Sequence, residues 1–128
     1  MKVSAIGAVA LISCGVVVAD DSPASYSDAD LIWQNSRSRP EYQTYASEFA
    51  QFNNHFHLDT KGGCYSLGSG TVNILMVIAH ERGREFATIT RVFADVGGEK
   101  ALCFERTYRN LQTKVPPFSP FVLRLTMQ

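Results

Sequence analysis

The sequence predicts an α+β fold, a small antiparallel sheet of about three strands with two helices packed on one face, in the order helix, strand, strand, helix, strand. Three observations predict it. Apolar and aromatic residues recur every three or four positions after Pro40 and again after Glu99; three other runs are β-branched or alternate with period two; and Gly-Gly or Pro-Pro pairs punctuate the chain between them. A chain of 128 residues, 45% hydrophobic and 19% charged, fills one modest core and so makes one domain at most.

The first segment is an export signal. Met1-Lys2 is a short basic start, VSAIGAVALISCGVVV is an uncharged apolar run, and Ala19 before Asp20-Asp21 fits a signal-peptidase site, so residues 1–19 read as a signal peptide. The run is shorter than the ~20 apolar residues of a membrane-spanning helix. Leu11-Ile12-Ser13-Cys14 offers a second reading as a lipobox, in which Cys14 is lipidated and the chain is anchored in the cell envelope. Both readings export the chain: it is expected to be periplasmic or secreted, or else lipid-anchored.

Residues 20–39, DDSPASYSDADLIWQNSRSR, are polar and Ser/Asp-rich around one apolar knot, Leu31-Ile32-Trp33. They predict a linker with at most a short helical turn capped at Ser27 or Asp28. From Pro40 the pattern changes. Tyr42, Tyr45, Ala46, Phe49, Phe52 and Phe56 form one face of a helix, with Pro40 and Glu41 suited to its first turn, and the helix is expected to fray between Asn53 and Leu58. Gly62-Gly63 then turns the chain.

Beyond Gly68-Ser69-Gly70, TVNILMVIA (71–79) and ATITRVFA (87–94) read as a hairpin joined by the polar HERGRE loop. Strict alternation places Val72, Ile74, Met76 and Ile78 on one face with Ile89 and Phe93. The other face then carries Asn73, Leu75 and Val77 with Thr88, Thr90 and Val92. After Gly97-Gly98 a second helix runs from Glu99 to about Leu111 on a stripe of Ala101, Phe104, Tyr108 and Leu111. Pro116-Pro117 bars any helix beyond, and FVLRLTM (121–127) alternates as a strand with one buried face.

The functional residues are fewer. Formal charge is zero and the eight Arg and four Lys are scattered, which excludes the basic footprint of a nucleic-acid binder. Removing the leader removes Cys14 and leaves Cys64 and Cys103, an even pair in an oxidising compartment. They predict one disulfide closing a loop of about 40 residues, worth roughly 3 to 4 kcal/mol in the chain-entropy model.

HFHLDTKGGCYS (55–66) carries the alternative chemistry. On a helix His55 and His57 point about 160° apart and cannot chelate together; in an extended segment they share a side. His-x-His-x-Asp resembles part of the metallo-β-lactamase ligand motif, but Thr60 follows Asp59 where that motif has a histidine. A zinc or thiol site built from His55, His57, Cys64 and His80 would make the chain a small secreted hydrolase. The structural reading, a helix end followed by a turn, needs no cofactor and no metal and leaves no catalytic residue.

The element order, together with GSGTVNILMVI, ERGREFATITRVFAD, ALCFERTYRNL and KVPPF, resembles the TonB C-terminal domain over residues 40–128. The cysteine positions are similar to those of the AgmX-type relatives of that group. The resemblance implies the fold and an envelope location. TonB itself pairs this domain with an extended peptide of a membrane receptor, reached through a long Pro-rich linker that this chain lacks. The expectation is therefore a non-catalytic interaction module that adds an extended segment of an envelope protein to a sheet edge. The candidate partner-binding residues are Phe121, Val122, Leu123, Arg124 and Leu125, and a membrane is involved only if Cys14 is lipidated.

Overall fold

The structure, a computed structural model, describes residues 22–59 and 63–128, with side chains described up to residue 53 and again from residue 63. The expected leader, Cys14 included, lies outside the described residues. The elements in order are α1 (Tyr26–Ser36), α2 (Pro40–Asp59), a 3₁₀ turn (Cys64–Leu67), β1 (Val72–Ala79), β2 (Ala87–Ala94), α3 (Glu99–Tyr108), β3 (Gln112–Thr113) and β4 (Phe121–Met127). The four strands form an antiparallel sheet in the order β3-β2-β1-β4. The class is α+β, as the sequence predicts, with one two-residue strand more than expected.

That extra strand follows from how α3 ends. The helix ends at Tyr108, short of the expected Leu111, where Arg109 turns extended (ψ 136°) and Asn110 follows at φ 72°, a left-handed conformation that Asn tolerates better than most residues. The Asn110 N–H donates to the Ile89 carbonyl (2.8 Å) and the Ile89 N–H donates to Leu111 O (2.9 Å), so the chain leaving the helix is drawn onto the free flank of β2. Gln112 and Thr113 then pair with Thr88 and Ala87.

Residues 26–36 correct the linker expectation. They form an eleven-residue helix whose N-cap is Ser25, its Oγ accepting from the Asp28 N–H at 3.2 Å, rather than Ser27 or Asp28. Ala29, Ile32 and Trp33 lie three and four residues apart and face the sheet, where they cover Leu75, Val77, Val122 and Phe93. Polar composition had masked a narrow apolar stripe. The two helices expected on one face are there: α2 contributes Tyr42, Tyr45 and Phe49, and α3 contributes Ala101, Phe104 and Tyr108, to the core against Ile74, Met76, Ile78, Phe121 and Leu123. The third helix closes the opposite face, making three layers. β1, sandwiched between them, is buried from Ile74 to Ile78 on both sides, which is why it reads as a near-continuous apolar run.

A β-bulge corrects the face assignment on β2. Ile78 pairs with Ile89, but Val77 pairs with Arg91, so one extra residue sits in β2 between these pairs and the alternation shifts by one. Val92 therefore joins Ile89 in the main core, and Phe93 turns to the α1 side, the reverse of strict alternation. α2 extends to Asp59 without the fraying expected after Asn53.

The expected disulfide is present. Cys64 and Cys103 are bonded, with Cα atoms 5.4 Å apart, and they join the 3₁₀ turn leading into β1 to α3 across 39 residues of sequence. Such a pair suits an oxidising compartment.

Candidate partner-binding edge

Strand order makes β4 one edge of the sheet. Residues of an antiparallel strand alternate between those that hydrogen-bond their neighbour and those that face away. Asn73 O accepts from the Asp95 N–H on the β2 side of β1 (3.0 Å), so Ile74, Met76 and Ile78 direct their backbone groups to β4. Their partners Leu125, Leu123 and Phe121 are then the inward-bonded residues of β4. The backbone groups of Val122, Arg124 and Thr126 consequently point to the outer flank, where no strand pairs among the described residues.

The side chains there are organised around Trp33. Trp33 touches both hydrophobic clusters and so lies across the rim of the sheet. Its Nε1 donates to Tyr42 Oη at 2.9 Å, joining α1 to the first turn of α2. The guanidinium carbons of Arg37 and Arg124 each lie 4.8 Å from the indole centroid, within cation–π range. Burial pushes the Tyr42 phenol above its ordinary pKa, while the Arg124 backbone amide, the indole N–H and the charges of Arg124 and Arg37 hold that rise back. At neutral pH the hydroxyl is therefore protonated and, while accepting from Trp33, still has a proton to donate. Trp33, Arg37, Tyr42, Arg124 and Thr126 line an open depression of about 430 Å³.

Of the five partner-binding residues expected from sequence, Phe121, Val122 and Leu123 are buried, with at most 1% exposure. Phe121 is packed by the rings of Tyr42 (5.3 Å), Tyr45 (4.7 Å) and Phe118 (5.2 Å). These three side chains hold the strand in place, and a partner at this edge meets backbone. Arg124 and Leu125 are half-buried, and only Arg124 among the five belongs to the depression. Trp33, Arg37 and Tyr42 were missed, because 20–39 read as linker and Tyr42 as one more member of a core stripe. The signal that could have found them is the chain's single Trp, set four residues before an Arg.

The alternative zinc or thiol site does not assemble among the described residues. Cys64 is in the disulfide, and His80 is exposed in the β1–β2 loop with Nε2 2.7 Å from the Arg84 carbonyl. Positions 55 and 57 fall within α2, but their side chains lie outside the described residues. No three His, Cys, Asp or Glu among the described residues converge as metal ligands.

A second concavity of about 490 Å³ lies between α2 and the β2–β3 end of the sheet. Phe52 and Phe86 are exposed at its walls, and the Lys114–Glu48 ion pair (2.8 Å) crosses its surface. No helix among the described residues is long and apolar enough to cross a membrane. No protein-family model, no curated protein and no solved structure matches the chain.

Proposed function

We propose that this chain is an exported, non-catalytic protein-interaction module of the bacterial envelope that captures an extended segment of another protein by adding it to the outer flank of β4. The observation that carries this reading is the seven-residue edge strand itself, paired along its whole length on one side and carrying outward backbone groups at Val122, Arg124 and Thr126 on the other. Main-chain pairing supplies the affinity in such complexes, and flanking side chains supply selectivity. The Arg124 amide lies toward the Tyr42 hydroxyl and Val122 is fully buried beneath α1, so the Arg124 carbonyl and the exposed Thr126 are the positions offered to a partner. The apolar amino-terminal run, the Cys64–Cys103 pair and the likeness to TonB-type domains in element order support the envelope location.

A photo-crosslinking residue placed at Thr126, with the same residue at Gln43 on exposed helix surface as control, tests the reading in intact cells. The expected result is a discrete adduct from position 126 whose cross-linked peptide is an extended segment of one partner. Equal labelling from both positions, or none from 126, would overturn it.

A further inference from the structure

We infer that the Arg37–Trp33–Arg124 cluster beside β4 binds a carboxylate carried by the incoming segment, so that the partner is acidic at the residue facing Arg124. This rests on the strand-addition reading and goes beyond it by naming the partner's chemistry.

Two like charges share one ring. Each guanidinium carbon is 4.8 Å from the Trp33 centroid, and among the described residues neither arginine forms an ion pair, whereas Arg39 and Lys114 do, with Glu41 and Glu48. The acid nearest in influence is Asp95, whose charge interacts with Arg124, but its carboxylate is occupied by Asn73, taking the backbone N–H at 2.9 Å and Nδ2 at 2.8 Å. Among the described residues the positive charge at the rim is thus left without an acceptor of its own. A protonated Tyr42 hydroxyl adds a neutral donor at the same place.

Guanidinium groups present paired donors that match a carboxylate, and stacking on an indole fixes them before a ligand arrives, so little rotamer freedom remains to be lost on binding. Both arginines line the same depression as Thr126, at the outer flank of β4. A segment pairing with that flank presents alternate side chains to the depression, and the charge there selects an acid.

The test uses the full chain and two capped synthetic peptides of β-forming sequence that differ only in a central Glu or Gln. Affinity is read from the anisotropy of a label on the peptide, and location from the emission of Trp33, the only tryptophan in the chain. The Glu peptide is expected to bind roughly five- to twentyfold tighter at low salt, with a change in Trp33 emission. Arg37→Gln, at an exposed position, should bring the Glu peptide down to the affinity of the Gln peptide, and Arg124→Gln should do the same. Equal binding of the two peptides would overturn the acidic preference while strand addition stands. Failure of both peptides to bind a chain shown to be folded by circular dichroism would remove both readings. Inorganic phosphate shifting Trp33 emission as strongly as the Glu peptide at equal concentration would make this a free-anion site and sink the peptide assignment.

Discussion

Reducing the Cys64–Cys103 bond should cost about 4 kcal/mol of stability, and the figure follows from one structural quantity. The bond spans 39 residues, and confining a loop of that length in the unfolded chain lowers its entropy enough to be worth about 4 kcal/mol at room temperature. The figure treats the folded state as unchanged on reduction, since Cys64, in its short turn, is itself buried with the α3 residues Ala101 and Phe104. For a domain of this size the loss corresponds to a fall in Tm of roughly 16–32 °C. Urea unfolding followed by circular dichroism, with and without reductant, measures it directly, and a Cys64→Ala/Cys103→Ala double variant should behave like the reduced chain and ignore reductant. A difference under about 1 kcal/mol would show that the bond is absent in solution or that the reduced unfolded chain is already constrained, and the entropic reasoning would fail.

Three further outcomes are expected. Ala29→Asp, placing a carboxylate at a fully buried position between α1 and Val122, should cost roughly 3 kcal/mol or more in chemical denaturation; a flexible linker would show almost no change. Asn110→Val, forcing a β-branched residue into φ 72°, should cost about 1–2 kcal/mol while Asn110→Gly stays within about 0.5 kcal/mol of the parent, as read from Tm. At Asp95, burial raises the carboxyl pKa, but the two Asn73 hydrogen bonds, the residue's own backbone amide and, last, the Arg124 charge outweigh it and the net shift is downward. A depressed folded-state pKa contributes stability that is complete above the unfolded value near 3.8 and is lost as pH falls through the lower folded value. Urea midpoints should accordingly fall more steeply below about pH 4 for the parent than for Asp95→Asn, and parallel curves would contradict this.

The residues that revealed the fold are those whose spacing reports a single buried face. Tyr42, Tyr45 and Phe49 gave α2 and Ala101, Phe104 and Tyr108 gave α3, because each helix has one apolar side and one wet side; the alternation of Phe121 to Met127 gave β4, although Val122 on its second face is buried under α1 rather than wet. The disulfide was legible from arithmetic and compartment. α1 was not, since Tyr26, Ala29, Ile32 and Trp33 suffice to dock a helix on the sheet while most other positions are polar and Leu31, exposed, blurs the stripe. The exchange of Val92 and Phe93 was not legible either: a bulge inserts one residue without altering composition, and both neighbours are apolar. β3 depends on a single left-handed Asn, too local a signal to announce a strand. For the candidate site, β4 was named as the edge, but its named side chains are mostly core. Arg37 and Trp33 come together with Arg124 only through the docking of α1, which the sequence did not disclose.

Residue-resolved amide hydrogen exchange along β4 tests the edge most directly. In the free protein the amides of Leu123 and Leu125, bonded to β1, should exchange slowly and that of Thr126 quickly; saturation with the Glu peptide should slow Thr126 to the level of its neighbours. Slow exchange at Thr126 before any peptide is added, or rapid exchange that persists at saturation, would mean that this flank is not where a partner strand joins the sheet.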